Sequence, residues 1–247
     1  MKKVSTFTRI RRKLKLVKDL TWGNIRLFFN PFCRKSFSQC GEDLIVKHVF
    51  DALGILRPSY IDIGAHHPFR HSNTALFYLL GSTGINIEPD PDLFRKFPKR
   101  RPHDKNLNIG ISSEEGLLEF FVMKNPTLNT FSREKAENYE KEQGVSISET
   151  KLIKVCTLAS VLENYGNGKF WDFMSLDVEG FEMPILKSID WEEFSPKVIC
   201  CETISFSDCG KGKKDHTIID FLVSKGFMVY ADTSVNTIFV KKDIWQA

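Results

Sequence analysis

Between Ser59 and Pro91 the chain runs apolar, glycine, helical, glycine, apolar, acid, and few folds accommodate that order. Tyr60-Ile61-Asp62-Ile63 is a short apolar run that stops at Gly64. After Ser72, the residues Ala75, Leu76, Tyr78, Leu79 and Leu80 recur at helical spacing. Gly81 and Gly84 then lead into Ile85-Asn86-Ile87, which ends at Glu88. The pattern predicts a βαβ unit whose ligand-facing residues lie beyond the carboxyl ends of its strands. Glu88 stands 24 residues after Gly64, close to the ~20 at which a carboxylate meets a ribose diol.

The turn decides which nucleoside the unit suits. A pyrophosphate calls for three glycines, so that backbone amides approach it closely. Here the turn reads Gly64-Ala65-His66-His67-Pro68, with one glycine, two imidazoles and a proline. Asp62 just before it would repel a diphosphate and suit a cation. S-adenosylmethionine (SAM), with a sulfonium, an ammonium and a ribose but no phosphate, fits this turn better than a dinucleotide. The alternatives are an NAD-dependent sugar-modifying enzyme and a non-catalytic nucleoside-binding scaffold.

At 247 residues and 42% hydrophobic composition, the chain suffices for one α/β domain with a buried core and an appendage. Six cysteines without a C-x-x-C pair read as reduced thiols, with adjacent Cys200 and Cys201 facing opposite sides of a strand. No run approaches the ~20 apolar residues of a membrane span, and no signal-peptide pattern is visible, so the expected location is cytoplasmic. The net charge of +4 conceals an asymmetry. Residues 1–35 hold 11 Lys or Arg against Asp19 alone, giving +10, and the remainder has 24 basic and 30 acidic residues, giving −6. Within this arm Ile10, Leu14, Val17 and Thr21 or Trp22 recur at helical spacing between the basic residues. A basic amphipathic helix reads as a peripheral anchor on an anionic membrane face. Docking on the acidic domain is the equal alternative, and nucleic acid is a minor one. The expected domains are therefore the arm, 1–35, and a catalytic domain, 36–247.

Further along, Asp43 or Ser38 is placed to cap a helix over Leu44–Leu53, and Leu93, Phe94 and Phe97 mark a helix ended by the basic turn Lys99-Arg100-Arg101. Leu107–Ser112 and Leu117–Met123 read as strands. The polar stretch from Lys124 to Ile153, with a charged helix around Glu134–Glu142, reads as a lid or substrate loop. Buried strands then end at Asp177 and at Glu202, and Phe227–Ala231 with Thr237–Lys241 forms an antiparallel pair. The expected fold is α/β: a class I methyltransferase Rossmann-like fold, with a mostly parallel seven-stranded sheet, an antiparallel last strand, and helices on both faces.

In a parallel sheet the ends of such strands gather at one edge, which brings Asp62, Glu88, Asp177 and Glu202 together. Methyl transfer from a sulfonium is an in-line displacement that asks the protein mainly for proximity. A hydroxyl acceptor also needs a base or a metal. Asp177, His66 and His67 are the candidate bases. Asp177 with Glu202 is the candidate pair for a divalent cation, Mg or Mn.

Five motifs occur in order: Ser38-Gln39-x-Gly41-Glu42-Asp43, Asp62-Ile63-Gly64-Ala65 with Ser72-Asn73-Thr74, Ile87-Glu88-Pro89, Asn108-x-Gly110-Ile111-Ser112, and Asp177-Val178-Glu179-Gly180-x-Glu182. On these the chain resembles the FkbM-type methyltransferases from about Phe37 to Val240. The resemblance implies a SAM donor and O-methylation of a hydroxyl, often on a sugar of a surface glycan or on a natural product. It implies cofactor contacts at Asp62, Gly64, Ala65, Asn73, Glu88 and Ile111, with Gln39 and Asp43 walling the same site. Ser175-Leu176 stands where the family often has Lys-Ile, and Ala159 where it commonly has an acid. With the basic arm, the expected acceptor is a saccharide, lipid-linked at a membrane face.

Overall fold

The computed structural model describes residues 30, 32–166, 169–192, 195–204 and 212–246. The amphipathic helix expected within 1–35 and most of the polar loop after Ser205 lie outside the described residues. Ser36–Ala247 forms one compact unit.

The short apolar runs become strands that are buried along their whole length, apart from the half-buried first residue of β2: β1 (Tyr60–Ile63), β2 (Gly84–Ile87), β7 (Phe173–Leu176) and β8 (Val198–Glu202). With β3 (Lys105–Leu107), β9 (Phe227–Asp232) and β10 (Asn236–Lys241) they form a seven-stranded sheet in the order β3-β2-β1-β7-β8-β10-β9. All neighbours pair in parallel as far as β8, and β10 runs antiparallel to both β8 and β9. This is the class I methyltransferase arrangement, with the reversed strand inserted between β8 and β9 rather than at the edge.

Strand alternation sends the two faces into different cores. Ile61, Ile63, Met174, Leu176, Ile199 and Phe239 pack with α6 (Leu158–Tyr165), α7 (Glu182–Lys187) and α8 (His216–Ser224). Tyr60, Phe173, Val198, Cys200, Ile238 and Val240 face Val46, Val49 and Phe50 of α1 (Glu42–Ala52) and Phe77 of α2 (Ala75–Leu79). The second set matters for function: continued toward the strand ends, its face carries Asp62, Ser175, Glu202 and Asn236. Cys200 and Cys201 are fully buried on opposite faces.

Four local expectations differ from what the fold builds. The helix expected over Leu93–Phe97 is two short turns, α3 (Pro91–Phe94) and α4 (Phe97–Arg100). Arg101 does not belong to an exposed basic turn but is fully buried in an ion pair with Asp104 at 2.8 Å. The strand expected over Leu107–Ser112 breaks at Asn108, whose Nδ2 donates to the carbonyls of Glu88 and Pro89. Beyond the break, β4 (Gly110–Ile111) joins β5 (Gly116–Met123) and β6 (Ile147–Cys156) in a separate three-stranded sheet. The polar stretch is thus part sheet, and part a 3-10 turn (Pro126–Leu128) and α5 (Arg133–Gln143), with Phe121, Met123, Leu128, Ala136 and Tyr139 as its small core. Helix α1 starts at left-handed Gly41, and both expected side chains serve its first turn: Ser38 Oγ accepts the Asp43 amide at 3.3 Å and Asp43 Oδ1 the Leu44 amide at 2.9 Å. Asp43 also reaches back, accepting from the Phe37 amide at 2.7 Å and the Ser36 hydroxyl at 2.6 Å. No helix among the described residues is long and apolar enough to cross a membrane.

Candidate active site

Gly64 is required by close packing. Its φ is +82°, and a Cβ there would sit 1.7 Å from the carbonyl oxygen of Asp177. The ends of β1 and β7 are pressed together at this point, with the Asp177 amide donating to Ile63 O at 3.1 Å. Gly64 and Ala65 donate to Ile87 O, which aims the turn at the end of β2. There Glu88 is buried and accepts two backbone amides, His66 on Oε2 and Asp90 on Oε1, each at 2.7 Å. Burial pushes its carboxyl up to about 8, against the pull of the Asp90 and His66 amides.

Beneath the turn lies a closed polar network. Asp62 accepts from Thr74 Oγ1 at 2.6 Å, and Thr74 accepts from Arg101 at 2.9 Å. Arg101 also donates to the Tyr60 hydroxyl and Asp104, and Tyr60 donates to Asp104. Burial raises Asp62, with the Thr74 hydrogen bond opposing.

A cleft open to solvent runs along the strand ends. Of the residues singled out from sequence, Gln39, Gly64, His66, Asn73, Glu88, Asp177 and Glu202 line it. Asp43, Asp62, Ala65 and Ile111 stand behind its wall as support, and Ile111 belongs to the core. His67, the other imidazole named as a candidate base, is not among the residues lining the cleft. Its Nδ1 accepts from the Phe69 and Arg70 amides at 3.2 and 3.1 Å, so the ring braces its own loop. His66 does line the cleft, in left-handed backbone with φ 49°. Burial, then the neighbouring His67 and His71, hold it down at about 4, so it is neutral at pH 7.

The other end of the cleft is crowded with acids. Oxygens of Asp177, Glu182 and Glu202 all lie within 4.8 Å of one another. Burial and then Glu182 push Asp177 up to about 7, and burial and then Asp177 push Glu179 up to about 8. Glu202 is raised well above the usual range by burial and then by Glu179. Glu179 has φ 53°, and the insertion holds it there: Tyr139 donates to its Oε2 at 2.6 Å and Thr130 to its backbone oxygen at 2.9 Å. Glu182 Oε1 accepts the amides of Val178 and Gly180, tying the loop after β7.

Several lining residues carried no sequence signal of their own. Asn129 bridges the insertion to Asp90, accepting the Met123 amide and donating to Asp90. His71, Phe131 and Asn236 also line the cleft. Asn236 pairs with Glu202 across β10 and β8, a juxtaposition only the register provides.

The geometry is matched by likeness to known proteins. The family model described as the methyltransferase FkbM domain matches residues 62–229. No curated protein matches the chain at a significant level. Among solved structures, the methyltransferase FkbM of Methylobacillus flagellatus KT is 14% identical with a TM-score of 0.42, over 76% of this chain and 45% of that one. The chain thus spans less than half the length of that protein. A TehB-like SAM-dependent methyltransferase of Corynebacterium glutamicum is 13% identical at a TM-score of 0.43, over 94% and 100%. The 1,6-didemethyltoxoflavin-N1-methyltransferase of Burkholderia thailandensis, solved with S-adenosylhomocysteine (SAH) bound, is 8% identical at 0.39, over 97% and 91%. With the family matched over more than half its length, the chain belongs to the FkbM methyltransferase domain family.

Proposed function

We propose that the enzyme transfers the SAM methyl group to a hydroxyl of a sugar, in a surface glycan or glycoconjugate. The observation that carries this reading is the division of one cleft into two chemically unlike ends. At one end Glu88, fixed by two amides, faces the ribose hydroxyls, with Gly64, Asn73 and Gln39 around the rest of the cofactor. Asp62 acts from behind, through the turn it supports.

At the other end the acceptor oxygen meets Asp177 and Glu202. In-line displacement forms the C–O bond as the C–S bond breaks, and the hydroxyl proton must leave. An amine would be nucleophilic without help, whereas a hydroxyl needs the activation that such a cluster offers. His67 has its Nδ1 engaged by its own loop, and His66, neutral with a low pKa, is a weak base suited to shaping the cleft. Activation therefore falls to Asp177 and Glu202, directly or by holding Mg or Mn.

The +10 charge of residues 1–35 supports a lipid-linked acceptor met at an anionic, cytoplasmic membrane face. The test is titration with SAH followed by radiolabelled SAM offered with candidate saccharides. Micromolar SAH binding and label on an alkali-stable ether are expected. Absence of SAH binding at millimolar concentration overturns the reading.

A further inference from the structure

The most exacting polar atom in the cleft belongs to Asn236. The residue is 3% exposed, lines the cleft and stands opposite Glu202 in the β8–β10 register. Its Nδ2 donates to Glu42 Oε1 at 3.0 Å. Glu42 is held in turn by the Thr233 hydroxyl on Oε1 at 2.8 Å and the Cys40 amide on Oε2 at 2.7 Å. This fixes the amide's orientation, because a flipped Asn236 would set a carbonyl against a carboxylate. Its Oδ1 is then buried with no hydrogen-bond partner. A buried acceptor without a donor is costly and marks a place where something else belongs.

What surrounds Oδ1 defines that partner. Glu202 stands opposite Asn236 in the strand register and Asp177 lines the same cleft, and oxygens of Asp177, Glu202 and Glu182 converge to within 4.8 Å. Glu182 Oε1 is already engaged by two amides, leaving Asp177 and Glu202 as the charged ligands. Lys135 lays its stem across Gly180 and makes no ion pair with them among the described residues. A hydroxyl alone would satisfy Asn236 but leave two converging carboxylates with only the Lys135 charge, outside ion-pair distance, to offset them. Oxygen donors only, from three separate chain segments, two charged and one neutral, are the ligand set of a hard divalent cation.

We infer that Asp177, Glu202 and the side-chain carbonyl of Asn236 form a divalent-cation site at the acceptor end of the cleft, of the Mg or Mn type. Its use rests on the hydroxyl-methylation reading, in which a cation at this point holds the acceptor oxygen and favours its deprotonation. Asn236 sets the third ligand while Glu42 sets Asn236, so α1 and β10 together orient the site. Metal-binding side chains are commonly oriented by such outer partners.

The test uses the full chain, stripped with chelator and titrated with MnCl2, with free Mn²⁺ read by electron paramagnetic resonance, in the presence and absence of SAH. One saturable site is expected, displaced by millimolar Mg²⁺. Glu202→Gln is expected to weaken it at least tenfold and Asn236→Leu several-fold, while Asn236→Asp, which supplies a carboxylate oxygen at the same place, retains it. SAH affinity measured on each variant reports that the fold and the donor end are intact. No saturable Mn²⁺ binding, or equal binding by wild type and Glu202→Gln while SAH binds normally, overturns the cation site and leaves the methyltransferase reading standing. Failure of SAH to bind the wild type overturns the latter.

Discussion

The two ends of the cleft are built on opposite principles. At the Glu88 end the charged groups are answered from nearby, two amides for the carboxylate and Thr74, Arg101, Asp104 and Tyr60 for the layer under Asp62. Only the neutral Asn86 Oδ1 in that layer lacks a partner among the described residues. At the other end Asp177 just past β7, Glu182 at the start of α7 and Glu202 at the end of β8 are forced together, and Asn236 Oδ1 is left unanswered. The first end is preorganised for a ligand whose shape is constant. The second holds electrostatic strain that a ligand relieves, in keeping with a site whose occupant arrives and leaves. The difference assigns cost: damage to the first end should show in stability and cofactor affinity, and damage to the second in chemistry alone.

The strongest way to break this contrast is Arg101→Met. It leaves Asp104 buried opposite Tyr60 with no counter-charge, and removing one partner of a buried pair costs roughly 3–5 kcal/mol. Urea denaturation should show a loss of that size, and a loss under about 1 kcal/mol would mean the network is not the frame described.

Next is Glu88→Gln, which should weaken SAH binding roughly 100-fold, about 2.7 kcal/mol, through charge-assisted contacts to the ribose. The same variant carries a pH signature. With the folded carboxyl at about 8 and an unfolded value near ~4.3, the folded chain holds a proton that the unfolded chain releases. This group's contribution therefore falls as pH rises between those values. Apo Glu88→Gln should match wild type near pH 4 and exceed it at pH 8.5, on the order of 2 kcal/mol. Wild-type affinity for SAH should rise from pH 6.5 to 8.5 as the carboxylate ionises, and a flat profile would separate Glu88 from the cofactor.

Smaller effects sharpen the other end. Tyr139→Phe removes the donor to Glu179 Oε2 and should cut turnover about tenfold with SAH affinity unchanged. An equal loss of both would place Glu179 in the donor half. The smallest effect expected is that of His67→Ala, which should lower stability by about 1 kcal/mol through the two amides it leaves unpaired, with the cleft unaffected. His66→Phe should alter acceptor use more than SAH binding.

How much of this was legible in the sequence follows from the range of each interaction. The βαβ unit is local: Tyr60–Ile63 and Gly84–Ile87 are mostly apolar, each with one polar residue, Asp62 or Asn86, because both faces of their strands are largely buried. The acids at the strand ends could be named because each terminates such a run. The sheet of β4, β5 and β6 was hidden because β6 buries only Ile153 and Val155 fully among ten residues, so its composition reads as loop. Arg101 sits in a Lys-Arg-Arg run whose other members are exposed, and nothing local marks the one that turns inward. Asn236 acquires meaning only from pairing with Glu202, 34 residues away, and Glu179 only from an inserted helix that brings Tyr139 to it. Spacing within one segment was readable, and register between segments was not.

The account stands most directly on one comparison: calorimetric titration of SAH into wild type, Glu88→Gln and Glu202→Gln. A roughly 100-fold loss for Glu88→Gln, with Glu202→Gln within about threefold of wild type, is the predicted result. Equal losses in the two variants, or no loss in either, would contradict a cleft divided into a donor end and an acceptor end.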